Sequence, residues 1–186
     1  MKKIILILIF FAAIFKQSAF AQDSTLLPMP TDAVSPSPVP TPVNYELPYP
    51  GILPGSPLYT IKILRDKVNE IFMKSALKKS NFYLLQADKR LAASIELFKD
   101  GKTDLGEETL SKSLNYLDKS MDKMEEAKKS QENVSDIFGK IKTSSAKQKE
   151  EIEKLKENAK GEEAKKLMID YQRAQEIQNR VNAFRP

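Results

Sequence analysis

Leu110-Ser111-Lys112-Ser113-Leu114-Asn115-Tyr116-Leu117-Asp118-Lys119-Ser120-Met121-Asp122-Lys123-Met124 carries the clearest structural signal in the chain. Its large apolar residues, Leu110, Leu114, Leu117, Met121 and Met124, recur at intervals that alternate between four and three. An α-helix brings such positions onto one side, whereas a strand would scatter them over two faces. The Lys, Asp and Asn residues between them then make a solvated side, and the rhythm is that of a heptad seam. Met121 and Met124 sit inside that seam, where they read as core filling rather than as a binding face. The helix is expected to open at Asp104, whose carboxylate would cap the first turn while Glu107 reaches back as its capping-box partner.

Working outward, the segment from Ala76 to Lys99 places Leu84, Leu91, Ile95 and Phe98 on one face, broadened by Phe82, Tyr83 and Leu97. Asp100-Gly101-Lys102 ends it, the glycine suiting a left-handed cap. Before it, Pro57 to Met73 carries Leu58, Ile61, Leu64, Val68 and Ile71 as one apolar stripe, with Ser56 as N-cap and Pro57 in the first helical position. After Met124 the stripe slips between Lys128 and Asn133 and resumes at Val134, Ile137 and Ile141, so a bend, a stutter or a break is expected near Gly139. A fourth helix is expected from Ser145, with Gln148 as capping-box partner, to Asn158, burying Ile152 and Leu155. A fifth, from Gly161 to Ala183, buries Leu167, Tyr171, Ala174, Ile177 and Val181. Short connections make antiparallel neighbours. The expected fold is all-α, an elongated antiparallel helical bundle or hairpin array of about five helices behind an extended Pro-rich segment.

The start of the chain reads differently. Lys2 and Lys3 precede an apolar run from Ile4 to Phe15, and Ala19-Phe20-Ala21 follows, the three parts of a Sec signal peptide over residues 1–21. Cleavage is expected after Ala21, because Lys16 and Gln17 interrupt the run before it reaches the roughly 20 residues of a membrane span. An uncleaved anchor is the alternative, and in that case the signal segment is the chain's one membrane contact. Residues 22–46 carry Pro28, Pro30, Pro36, Pro38, Pro40 and Pro42 among Ser, Thr and Val, a composition for a disordered spacer that favours polyproline II. At about 3.1 Å per residue it could reach roughly 80 Å. The helical domain is then residues 47–186, with 47–57 an extended Pro/Gly segment docking on the helices.

The 186 residues include 30 Lys and Arg against 25 Asp and Glu, and neither His nor Cys. Lys2, Lys3 and Lys16 all lie in the leader, leaving 27 basic against 25 acidic side chains. So small an excess gives no stripe for nucleic acid, and no nucleic-acid partner is expected. Without His or Cys there are no Ser-His or Cys-His nucleophile pairs and no thiolate or imidazole metal sites. No cofactor, metal or catalytic residue is assigned. What remains is Glu107-Glu108, Glu125-Glu126, Glu150-Glu151 and Glu162-Glu163, whose members point about 100° apart on a helix. They are expected to be solvated and paired with lysines, Glu150 with Lys154 among them.

Leu47-Pro48-Tyr49-Pro50-Gly51-Ile52-Leu53-Pro54-Gly55-Ser56-Pro57-Leu58-Tyr59 is too rich in large apolar side chains for an exposed linker. Tyr49, Ile52, Leu53 and Tyr59 are expected to fold over an apolar groove left by the helices, and the same Tyr and Pro surface could grip a peptide or glycan. Followed by Lys62 and Asp66, and by Leu84-Leu85-Gln86-Ala87-Asp88-Lys89-Arg90-Leu91 with Gly101-Lys102, this segment resembles the opening of an uncharacterised family of exported bacterial all-helical domains. That family is marked by a PGILPxSPLY-like signature. The resemblance implies an all-helical domain placed outside the cytoplasmic membrane and carries over no catalytic residues.

The functional expectation is a non-enzymatic extracytoplasmic interaction module, periplasmic or extracellular, binding a protein or an envelope polymer. Two alternatives stand beside it: a self-associating structural envelope protein, a homo-oligomer in which the third helix pairs its seam between chains, and an enzyme using two carboxylates on cell-wall glycans.

Overall fold

Proline is absent between Pro57 and Pro186, and that stretch forms five helices: α1 (Tyr59–Phe72), α2 (Ala76–Lys99), α3 (Thr103–Lys129), α4 (Ser135–Asn158) and α5 (Gly161–Ala183). The computed structural model describes residues 42–186, which fall within one of the two units into which the chain divides. The expected leader, and the spacer as far as residue 41, lie outside the described residues.

α2 and α3 form a tight antiparallel hairpin. Gly101, at φ +74°, turns the chain, and the Lys102 N–H returns to the Leu97 carbonyl at 2.9 Å. The two helices approach closely because small residues face each other. The Ser80 hydroxyl donates to the Ser120 carbonyl at 2.8 Å, the Ser120 hydroxyl donates back to the Ser80 carbonyl at 2.8 Å, and Ser113 reaches the Ala87 carbonyl at 2.7 Å. Gly106 lies against the Phe98 ring, where an added Cβ would come within 3.0 Å of it.

α4 and α5 make a second hairpin, with Lys149 and Lys156 of α4 over the Tyr171 ring of α5. It lies alongside the first, α5 against α3 and α4 against α2. Arg180 of α5 spans Asp118, Asp122 and Glu125 of α3 at 2.9, 2.7 and 2.9 Å. Leu91, Leu97, Leu110, Leu114, Leu117, Met121, Met124, Ile137, Ile141, Ile152 and Leu167 are fully buried, each worth about 1.5–3 kcal/mol of transfer free energy. The α3 seam is thus consumed inside the chain, which leaves it unavailable for the pairing between chains that the alternative required.

Several boundaries differ from expectation. The break after α3 falls at Ser130–Val134, where Gln131 takes φ +62°, and α4 begins at Ser135, well before Ser145. Gly139 lies exposed within α4, where it needs no break. Ser145 is not a cap: it is buried, with its hydroxyl on the Lys142 carbonyl, and Gln148 is a core residue accepting from Ser113 at 3.2 Å. Asp104 and Glu107 form no capping box, since both face Lys166 of α5, at 3.3 and 3.7 Å. Ser56 and Pro57 precede α1 in a turn that follows Gly55 at φ +90°; the Ser56 carbonyl, not its side chain, accepts from the Tyr59 N–H.

The largest difference is α1 itself. Leu58, Ile61, Leu64, Val68 and Ile71, expected to be buried, lie in water, and the one buried residue of the helix is Asp66. The helix turns its polar side to the bundle, where Glu70 accepts from the Tyr83 hydroxyl of α2 at 2.5 Å, while Asp66 is buried against Arg65 of α1 itself.

Candidate functional site

Residues 42–58 run over the bundle and are fastened at several points. The Val43 N–H donates to Glu150 at 2.6 Å, and the Tyr45 hydroxyl donates to Asp88 at 2.6 Å. Leu47 packs against the core. Lys62 of α1 donates to the Pro50 and Ile52 carbonyls at 2.8 and 3.2 Å, on either side of Gly51 at φ +73°. Gly55 lies so close to Leu105 of α3 that a Cβ would come within 3.2 Å. The fastening therefore begins at Val43 and Tyr45, inside the stretch whose composition reads as spacer. Sequence reasoning missed Tyr45 and Asp88, because a lone Tyr among prolines and an Asp on a helix carry no spacing that pairs them.

The anchors sit on perturbed groups. Burial pushes the Asp88 carboxyl up, against the pull of hydrogen bonds from Ser144 and Tyr45. Burial and the Asp88 carboxylate likewise raise the Tyr45 phenol. Glu150 goes the other way: burial would raise it, but Lys154, the Val43 N–H and Lys147 hold it at about 2. Glu150 and Glu151 are mostly covered, shared between Lys147 and Lys154, rather than solvated as expected.

The signature residues divide into two sets. Leu47, Pro48, Pro50, Gly51, Leu53, Pro54, Ser56 and Tyr59 are half-buried, while Tyr49, Ile52, Pro57 and Leu58 are exposed, Tyr49 at 83%. Instead of closing a groove, the segment builds one. Tyr49, Pro50, Gly51 and Ile52 form one wall, Leu58 together with Ile61, Lys62 and Arg65 of α1 the other, and Lys89 of α2 completes an open cleft of about 460 Å³. Three cations and no acid line it. Burial lowers the Lys62 ammonium, and although Asp66 opposes this, Arg90, Lys89 and Arg65 push it further the same way.

The cleft continues onto the outer face of α1. Leu58, Ile61, Leu64, Val68, Ile71 and Phe72 are exposed by 43% (Val68) to 79% (Phe72) and occupy an arc of about 140° on the helix. Large apolar side chains exposed side by side in this way form a continuous patch rather than scattered surface residues. Lys62 borders the arc on one side and Lys67 on the other, and Arg65 falls within it near Leu58. The acids of α1 are turned away: Asp66 is buried beside Arg65 at 2.8 Å, and Glu70 accepts from the Tyr83 hydroxyl at 2.5 Å.

The carboxyls pushed upward are Asp88 and Asp170, the latter to about 6, chiefly by burial and then by Glu107. They line none of the grooves at Glu150, Glu151 or the α1 cleft. Among the described residues no three potential ligating side chains cluster around a metal position, and no helix is long and apolar enough to cross a membrane.

A family profile described as Domain of unknown function (DUF5667) matches residues 51–162, from the cleft wall at Gly51 to the first turn of α5. No curated protein and no solved structure matches the chain.

Proposed function

The chain belongs to the DUF5667 family of domains of unknown function, and from that premise we propose that it is a non-enzymatic interaction module working outside the cytoplasmic membrane. Sec export with cleavage after Ala21 brings it to the periplasm or beyond. The carrying observation is the apolar side of α1, five large side chains in water together with Leu58 just before it, beside an open cleft. Burying each against the bundle would be worth about 1.5–3 kcal/mol. The helix nonetheless turns its charged side inward, which suits a surface kept for something else.

An enzyme acting on glycans would need a carboxyl held high enough to be protonated in a cleft at working pH. In two of the grooves that carry acids, Glu150 and Glu151 are held low by Lys147 and Lys154 despite their burial. That favours the non-enzymatic reading.

A photo-crosslinking side chain at Leu64, in cells that make the protein, tests this. Adducts are expected from Leu64 and not from Lys112, which is exposed on α3. Equal absence of adducts from both positions, with the protein folded and exported, would overturn the proposal.

A further inference from the structure

The cleft and the outer face of α1 share one chemical character, and it specifies the partner further. Resting on the interaction reading above, we propose that this surface docks on a lipid leaflet bearing anionic headgroups, with α1 lying in the plane of the interface. Apolar side chains alone would suit a second copy of the chain equally well. The charges decide between them.

An interfacial helix needs a broad apolar arc, cations along its borders that reach headgroups while their alkyl stems stay among the chains, and no acid near the lipid. α1 has each of these. Its arc is bordered by Lys62 on one side and by Lys67 on the other, with Arg65 among the apolar side chains near Leu58. Its two acids are occupied behind it, Asp66 buried and Glu70 on Tyr83. Exposed Tyr49 and Ile52 stand on the far wall of the cleft, and Lys89 lies between. A phosphate headgroup entering there would meet Arg65 and Lys89 with no carboxylate lining the site.

Self-pairing fails on the same charges. In a heptad reading of α1, Ile61, Leu64, Val68 and Ile71 take the seam, and Arg65 and Lys67 flank it. Two copies would bring cations against cations, with the acids on the wrong side to compensate. The seam also spans only two heptads, short for a stable pair.

The chain contains no cysteine, so Val68→Cys provides a unique position in the full chain for an environment-sensitive fluorophore. With vesicles of phosphatidylglycerol and phosphatidylcholine, the label is expected to shift to the blue and to be quenched by bromine carried on the lipid tails. Phosphatidylcholine alone should give little of either effect. Arg65→Gln and Lys67→Gln should each weaken the response about fivefold. Leu64→Glu with Ile71→Glu should abolish it while leaving the far-UV circular dichroism intact.

A label that remains in water with both vesicles overturns the proposal, as does an equal response to both. Shielding without vesicles that grows with protein concentration assigns the face to a second copy; the lipid proposal then fails while the interaction reading stands. Shielding at every concentration assigns it to the chain's own first residues, and both fail.

Discussion

Asp170 is the most demanding test of the electrostatics. It is 3% exposed on α5; Oδ2 has no hydrogen-bond partner, Arg173 stands 3.6 Å from Oδ1, and Glu107 repels it. Burial first and Glu107 second push its carboxyl from 3.8 to about 6. A group whose folded value lies above its unfolded one stabilises the fold fully below the unfolded value, and that stabilisation is lost as pH rises through the folded one. At about 1.4 kcal/mol per unit, ionising Asp170 costs the native state about 3 kcal/mol at neutral pH. Asp88, also raised by burial, acts in the same direction. Glu150 acts oppositely and lower down, its contribution being lost as pH falls from 4.5 towards about 2. Asp170→Asn keeps the shape and removes the charge. Urea unfolding followed at 222 nm should show the variant more stable by about 1–3 kcal/mol at neutral pH and equal to the parent at about pH 3.5. The difference should open as pH rises from about 4 to about 6. A variant no more stable at neutral pH, or a difference independent of pH, would refute the reasoning.

Leu114→Ala removes a side chain with no solvent exposure from the centre of α3 and should cost about 2–5 kcal/mol in the same urea assay. Gln131 holds φ +62°, a conformation unfavourable for a side chain, so Gln131→Gly should stabilise the protein by about 0.5–1 kcal/mol, read from the denaturation midpoint. Amino-terminal sequencing of the protein recovered from outside the cytoplasm should begin at Gln22; a start at Met1 would identify an uncleaved anchor instead.

Much of the fold could be read from spacing alone. The rhythm of Leu110, Leu114, Leu117, Met121 and Met124 located α3 and its buried side, and Ala76–Lys99 and Gly161–Ala183 match their expected limits. Spacing is local and reports a face, not what the face meets. That is why α1, with as clear a stripe as any helix, was expected inside and is found outside. Cap residues misled for two reasons: the Asp104 carboxylate is taken by Lys166 through a tertiary contact that no window contains, and Ser145 lies inside α4, where its hydroxyl donates to the Lys142 carbonyl three residues back. Of the candidate site, Leu47 to Tyr59 stood out by its apolar side chains, but Tyr49 and Ile52, expected to cover a groove, are exposed. The cleft was not legible, because it arises from Lys62 tying down two carbonyls and from the direction in which α1 turns.

The crossed hydroxyls of Ser80 and Ser120 also govern alignment. Leucine stripes repeat, so sliding α2 along α3 by one turn would exchange one aliphatic contact for another at little loss. The two serines do not repeat in that way. A slipped hairpin would strand two hydroxyls in a dry interior, at about 1–3 kcal/mol each, so the smallest polar groups in the bundle discriminate between the native pairing and its nearest misfolded neighbour.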